Sequence, residues 1–343
     1  IVGEEVIPST HTTPDPVSLN RLLAQMVDRG CEFCFMEVSS HSVVQKRISG
    51  LTFCGGIFTN ITHDHLDYHK TFVNYIAAKK AFFTMLPAGA FAVVNADDKN
   101  GLLMVENSKA KVYTYSIRGM ADFHAKLLEV KIDGTLARIN NGEEFWMALP
   151  GVFNASNQLA VYAAASLLSV DKYELMVKLS VIKGAKGRFE LVKNNCNKNV
   201  IVDYAHTPDA LKNILSTVRE LADGQGRVMC VFGAGGDRDS SKRSEMGLVS
   251  VKYADLVFVT SDNPRSENPD AIIKDIVSEI DPVNMRKVIC ITDRKEAIRV
   301  SVNMLQDNDV LVVAGKGHEN YQEINGVKYH FDDVELIDEL LNK

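Results

Sequence analysis

The chain has 343 residues, 46% of them hydrophobic and 24% charged, with a formal net charge of -6. That length and balance suit about two ordinary globular domains. The acidic excess argues against nucleic acid as a general partner, and neither a membrane-span-length apolar run nor an N-terminal signal segment is present. The first residue is Ile1 rather than Met, in what reads as a strand-to-loop segment, so a start inside a domain is expected. The six cysteines sit mostly in apolar surroundings, as reduced cytosolic thiols do, so a cytoplasmic location is expected. Cys31 and Cys34 have metal-knuckle spacing, but no second pair accompanies them, which leaves zinc the weaker reading there.

In chain order, short apolar runs bounded by polar or turn residues predict strands at Phe33–Val38, Gly56–Asn60, Phe91–Asn95 and Val112–Ser116. A β-rich insert is expected from about Phe123 to Leu149, with hairpin signals at Asp133-Gly134 and Asn141-Gly142. Pro150-Gly151 leads into a helix predicted from Asn154 to Leu168. After the basic stretch Lys183–Gly187, strands are predicted at Val200–Val202, Val228–Phe232, Leu256–Val259, Val288–Ile291 and Val310–Val313, alternating with helices. Such continuous apolar runs suit a parallel sheet covered on both faces. A hairpin at Asn325-Gly326 and a helix capped near Asp332 or Asp333 close the chain. The fold class is therefore α/β, with two Rossmann-like domains over residues 1–185 and 186–343.

A parallel sheet gathers its strand exits on one edge, where ligands bind. Five polar exits follow the second set of strands: Asp203-Tyr-Ala-His206, Gly233-Ala-Gly-Gly-Asp237-Arg238, Asp262-Asn263-Pro264-Arg265, Thr292-Asp-Arg294 and Gly315-Lys-Gly-His-Glu319. Arg265 is suited to grip a carboxylate by two parallel hydrogen bonds, while Asp262 and Asn263 can accept from an ammonium. Together they could hold a ligand that is both acid and amine. A plain turn with a surface ion pair is the competing reading of that segment alone.

Earlier motifs are open to two readings each. Glu37, in Met36-Glu-Val-Ser39-Ser-His41, can ligate Mg²⁺ or merely bring a strand end to solvent. His63, Asp64, His65, Asp67 and His69 can supply metal or acid–base groups, or start a polar helix. Lys79 reads as an ordinary snorkelling lysine on a helix. Asn154 and Asn157 share a helix face and can hydrogen-bond a base or phosphate, or cap the helix. The loop Gly233–Arg238 can cradle an anion, but it is not a dinucleotide fingerprint.

Taken together, the chain resembles the Mur ligase family. The motifs run in family order: Thr12-Thr13, Glu37-Val-Ser39-Ser-His, Thr59-Asn-x-x-x-Asp64-His65-Leu-Asp67-Tyr, Ala78-Lys79, Gly151-x-Phe-Asn154-x-x-Asn157, Gly187-Arg188-Phe-Glu, Asp203-Tyr-Ala-His206, Gly235-Gly-Asp-Arg238, Asp262–Arg265 and Gly315–Glu319. The match is closest to members that add meso-diaminopimelate to UDP-MurNAc-L-Ala-D-Glu in peptidoglycan synthesis, by ATP-dependent amide formation through an acyl phosphate. The resemblance implies a central ATPase domain, truncated at its N-terminus, and a C-terminal amino-acid-binding domain. It implies that Thr12, Thr13, Ser39, Gln45 and Arg47 hold the UDP-MurNAc-dipeptide. It places Glu37, His65 and a carbamylated Lys79 as catalytic and Mg²⁺-organising groups. Asn154, Asn157, Arg188 and Asp203 would contact ATP. Arg238, Asp262, Asn263, Pro264, Arg265, Gly315 and Glu319 would bind meso-diaminopimelate, and related ligases that add lysine lack the arginine at 265. The expected protein is a monomer.

The family's phosphate loop, Gly-Thr-(Asn/Asp)-Gly-Lys-(Thr/Ser), and its uridine-binding domain do not occur in the sequence. The 343-residue chain alone is accordingly expected to bind ATP poorly and to be inactive. Two alternatives are kept. One is a folylpolyglutamate synthase, against which Asp262–Arg265 and Tyr204-Ala-His206 tell. The other is a non-catalytic binding module.

Overall fold

The computed structural model describes residues 1–7, 12–62, 64–196, 198–222 and 224–342, and of Asp67 the backbone. The chain divides into two compact units, one formed by Ile1–Lys126, Arg138–Glu143 and Ser156–Leu175, the other by Leu127–Ala137, Glu144–Ala155 and Met176–Lys343.

In the first unit, helices α1 (Pro16–Asp28) and α2 (Ser40–Val44) precede strand β1 (Gly55–Phe58), followed by α3 (Leu66–His69) and α4 (Phe72–Thr84). Strand β2 (Phe91–Asn95), helix α5 (Gly101–Val105) and strand β3 (Lys111–Ser116) come next. β2 pairs in parallel with β1 on one side and β3 on the other. The short helices begin on capping side chains: the Asp15 carboxylate accepts from Val17 and Ser18 N–H ahead of α1, and Ser39 Oγ from Ser42 N–H ahead of α2. Phe58, Phe82, Phe83 and Leu86 pack with Ala92 and Val94 as the core on one face of this sheet.

The insert supplies β4 (Phe123–Lys131), β5 (Gly134–Ile139) and β6 (Glu144–Met147), the β-rich segment expected at 123–149. Then come α6 (Val152–Leu167) and α7 (Lys172–Val181), one helix close to the predicted bounds and one not anticipated.

The expected strand at Phe33–Val38 does not form; residues 31–39 have no regular structure. A strand exists only through its ladder partner. No described strand pairs with this segment, so Phe33 and Phe35 stay 52% and 77% exposed. The apolar composition was read correctly; the partner was not there to be read.

The second unit carries the cleaner sheet. Its strands are β7 (Glu190–Leu191), β8 (Asn199–Asp203), β9 (Val228–Phe232), β10 (Leu256–Val259), β11 (Val288–Cys290) and β12 (Val310–Ala314), in spatial order β11-β10-β9-β12-β8-β7. All neighbours are parallel except β7, which runs antiparallel to β8. Alternate residues feed two cores: Cys230, Phe232, Val257, Val310 and Val312 on one face, Met229, Val231, Phe258, Leu311 and Val313 on the other. That double coverage is why these strands read as unbroken apolar runs. Helices α8 (Pro208–Ala222), α9 (Lys242–Tyr253), α10 (Pro269–Val277), α11 (Arg294–Asn303) and α12 (Asp333–Leu341) complete the unit, with the hairpin β13 (Tyr321–Ile324) and β14 (Val327–His330) before α12. Asp332 caps α12 as predicted, accepting from Val334 and Glu335 N–H. Because β12 returns between β9 and β8, the chain reverses direction across the sheet there, and the loops beyond β8, β9, β10 and β12 crowd one edge.

Asp309, at the entry to β12, ties this layer together. Burial alone would push its carboxyl up, but hydrogen bonds from the Arg227 guanidinium (2.6 and 3.1 Å), Arg227 N–H (2.8 Å) and Gln306 N–H (2.9 Å) outweigh it and hold the value below the usual range. A depressed carboxylate contributes stability above its ordinary pKa of about 3.9, and that contribution is lost as pH falls through the folded value. Asp309→Asn is therefore expected to cost about 1–3 kcal/mol at pH 7, with the deficit shrinking as pH falls through the folded value. Urea midpoints of the two proteins at pH 7 and in acid check this; equal midpoints at pH 7 would contradict it.

Candidate functional site

In the first unit a cavity of about 1020 Å³ is lined by Thr12, Glu37, Ser39, His65, Tyr75 and Lys79, among others. The unpaired segment 31–39 forms one wall of it, which is how Glu37 and Ser39 come to face the space. Behind them Thr13 is fully buried: its Oγ1 donates to the Glu37 carbonyl (2.8 Å) and its own carbonyl accepts from Arg47 Nη1 (2.8 Å). Arg47 Nε donates to Gln45 Oε1 (2.8 Å), and Gln45 Nε2 to the Tyr68 hydroxyl (3.3 Å). Thr13, Gln45 and Arg47 thus form one connected polar network.

His65 holds a left-handed backbone (φ 56°) at the start of α3 and has no side-chain cap. Asp64, just before it, accepts from the His65 N–H (2.8 Å). His63 and the Asp67 side chain lie outside the described residues. Lys79 is half-buried one turn after Tyr75 on α4, its ammonium 5.4 Å from the Tyr75 ring centre. Burial pushes the Lys79 amine down from its ordinary value, and the Asp64 and Glu37 carboxylates oppose this without cancelling it. Burial, with Asp64 beside it, pushes the Tyr75 hydroxyl up to about 12. This corrects the reading of Lys79 as an ordinary snorkelling lysine: its ammonium lies in a desolvated, acid-flanked recess.

Sequence reasoning missed the ring nest around this recess. His41 lies 5.0 Å from His65, 5.4 Å from His69 and 4.2 Å from Tyr68, and His69 lies 5.2 Å from Tyr75, centre to centre. The spacing of Tyr75 and Lys79, four apart on one helix, was the available signal.

A magnesium ion is implied by the family resemblance. Among the described residues no group of three His, Cys, Asp or Glu side chains is gathered for a metal. Glu37 and His65 offer a carboxylate and an imidazole on the same cavity, and Lys79 would add oxygens if carbamylated. That oxygen-weighted set fits a hard cation.

In the second unit the strand exits converge. Arg265 sits in a left-handed conformation (φ 52°), held from both sides: its N–H donates to the Glu323 carbonyl (3.1 Å) and its carbonyl accepts from Asn325 N–H (2.7 Å). Its Nη1 donates to the Gly236 carbonyl (2.7 Å), and the Glu323 carboxylate stands 3.5 Å from its Nε. Among the described residues Nη2 has no hydrogen-bond partner, so one end of the guanidinium is fixed and the other is presented. Arg238 is exposed and close by: a Cβ on Gly235 would lie 3.0 Å from Arg265 Nη1 and 3.7 Å from Arg238 Cγ. The two arginines share one rim.

Asp262, Asn263 and Pro264 are buried behind Arg265. Asn263 Nδ2 donates to Glu319 (2.8 Å), while its Oδ1 accepts from Glu323 N–H (2.9 Å) and its carbonyl from Gly236 N–H (2.9 Å). Glycine is required at two contacts. A Cβ on Gly236 would lie 2.0 Å from the Pro264 carbonyl, and one on Gly315 (φ 114°) would lie 2.4 Å from Asp262 Oδ2. Beneath, Arg294 is fully buried on Asp333 (2.7 and 2.9 Å) and donates to the Ala314 carbonyl (3.0 Å), bracing the turn that begins at Gly315.

At the β8 exit, Asp203 accepts from Phe189 N–H (2.7 Å) and Ala205 N–H (2.8 Å); burial nonetheless holds its carboxyl above the usual range. The Arg188 guanidinium lies 4.7 Å over the ring of Tyr204, the residue after Asp203, and its charge acts on the Asp203 carboxyl, so the predicted nucleotide contacts Arg188 and Asp203 are neighbours. Asn154 donates to the Pro150 carbonyl (2.8 Å) at the start of α6, and Asn157 is exposed one turn on.

Two α/β units, each with polar residues gathered at loops, make up the chain, and the sequence matches give its family. The Mur ligase middle domain matches residues 1–165 and the Mur ligase glutamate ligase domain residues 187–317. The chain belongs to the Mur ligase family. It is 56% identical to a UDP-N-acetylmuramoyl-L-alanyl-D-glutamate–2,6-diaminopimelate ligase of Phocaeicola vulgatus, over 98% of this chain and 69% of that protein. A protein of the same name from Parabacteroides distasonis is 54% identical, over 99% of this chain and 70% of its own. A solved ligase structure of that name superposes with a TM-score of 0.65 at 35% identity, covering 96% of this chain and 69% of the other.

Proposed function

We propose that this chain is the middle and C-terminal part of an ATP-dependent ligase that joins meso-diaminopimelate to UDP-MurNAc-L-Ala-D-Glu. The observation that carries the reading is Arg265, a guanidinium fixed at one end and presented at the other, beside the buried Asp262. Diaminopimelate differs from lysine by a distal carboxylate, the group such a fork recognises. Arg265 takes that carboxylate, with Arg238 on the same rim. Asp262, Asn263 and Glu319 accept from the ammonium beside it, and Gly315 lets the backbone approach. The amine at the ligand's other end is then left to react.

The γ-phosphoryl of ATP passes to the D-Glu carboxylate, giving an acyl phosphate and ADP. The free amine attacks that carbonyl, loses a proton, and phosphate departs as the amide forms. Thr12, Thr13, Ser39, Gln45 and Arg47 are proposed to hold the UDP-MurNAc-dipeptide, and Asn154, Asn157, Arg188 and Asp203 the nucleotide. Glu37, His65 and carbamylated Lys79 would hold Mg²⁺, which when bound neutralises phosphate charge. The protein's part is positioning; none of these residues is a covalent nucleophile. We place the boundary between the two catalytic domains near residues 185–186 and the enzyme in the cytoplasm as a monomer. Among the described residues no helix is long and apolar enough to cross a membrane.

ADP release by the full-length protein tests the reading. It is expected only when ATP, UDP-MurNAc-L-Ala-D-Glu and meso-diaminopimelate are all present, with amide product in equal amount. Release that ignores the amino acid would overturn it.

A further inference from the structure

Lys316 lies between two glycines in an exit loop, where a lysine would be expected to reach solvent. It is instead wholly buried, at 0% exposure. Its Nζ donates to Asn263 Oδ1 (3.2 Å) and to Glu319 Oε2 (3.3 Å), and stands 3.9 Å from Asp262 Oδ1. A buried ammonium is costly unless its charge and its donors are met. Here they are met by the residues proposed to receive the amino acid, with the Tyr321 ring centre 5.5 Å away.

We propose that Lys316 is a positioning residue of the amino-acid site, its buried ammonium locking Asp262, Asn263 and Glu319 into one arrangement. This rests on the functional reading above. The three acceptors come from two loops, one beyond β10 and one beyond β12, and Lys316 is the ion that joins them. Its single positive charge against two carboxylates leaves one formal negative charge, which suits one incoming ammonium. Fully covered, Lys316 does not touch the ligand. The other ionisable groups around it are Arg294, whose charge also acts on Asp262 and Glu319 but is paired with Asp333, and the hydroxyls of Tyr204 and Tyr321. Lys328 stacks on the outer side of Tyr321, 4.0 Å from its ring centre.

The test uses the full-length protein with Lys316→Met, which keeps the length of the side chain and removes its charge. Calorimetric titration with meso-diaminopimelate at pH 7 should show affinity reduced at least about 30-fold. Binding of UDP-MurNAc-L-Ala-D-Glu should be unchanged. Because Lys316 acts through Glu319, the double variant Lys316→Met with Glu319→Gln should lose clearly less affinity than the product of the two single losses. Lys316→Gln, which retains a donor to Asn263, replaces the methionine variant if that one does not fold, and must show the same coupling to Glu319→Gln. Affinity within twofold of the parent, or single losses that simply multiply in the double variant, would overturn the role of Lys316. A parent protein that binds no meso-diaminopimelate would instead overturn the functional reading.

Discussion

Arg265→Ala is expected to weaken meso-diaminopimelate binding by about 100-fold or more, close to 3 kcal/mol, because a two-point charge-assisted contact is lost and the ligand carboxylate is left desolvated. The fold should survive. The side chain is 22% exposed, among the described residues it makes a single hydrogen bond, to the Gly236 carbonyl, and the backbone bonds to Glu323 and Asn325 do not depend on it. Arg265→Lys separates charge from geometry. A lysine restores the charge but not the planar fork, so KM for meso-diaminopimelate should stay sharply raised while kcat recovers more. Steady-state kinetics on the two variants decides this. An unchanged KM in Arg265→Lys would remove that side chain from the recognition of the distal carboxylate.

Lys79→Ala is expected to lower kcat by roughly 10²–10³, the usual scale for removing one preorganised electrostatic group at phosphoryl or acyl transfer. The modification itself can be observed. Carbamate formation takes the neutral amine and CO₂ and releases a proton, so a lysine whose amine is pushed down by burial reacts at lower pH than its exposed neighbours. With ¹³C-bicarbonate, a carbamate signal should appear in the parent protein, grow with pH through the depressed value, and vanish in Lys79→Ala. A parent protein without the signal at pH 8, or a Lys79→Ala enzyme of normal kcat, would contradict the assignment.

The second unit was the more legible half. Its strands are covered on both faces, so runs such as Val228–Phe232 announce themselves without any periodicity, and their exits follow from topology alone. Arg265 could be chosen by type and place, but not its left-handed backbone or the Glu323 carboxylate at its Nε, because both depend on the hairpin β13–β14 docking some 60 residues later. Lys316 was illegible for a different reason: nothing in a Gly-Lys-Gly sequence tells a buried ammonium from a solvated one. In the first unit Phe33–Val38 has strand composition and no described ladder partner, and composition carries no information about partners. Lys79 looked ordinary because its environment comes from Glu37 and Asp64, distant in sequence and near in space.

The central claim is that a presented guanidinium selects the amino acid by its far carboxylate. The most direct measurement supplies the full-length enzyme with ATP, UDP-MurNAc-L-Ala-D-Glu and equal amounts of meso-diaminopimelate and L-lysine, and weighs the products by mass spectrometry. The diaminopimelate adduct should exceed the lysine adduct by about 100-fold or more; comparable amounts of the two would contradict it.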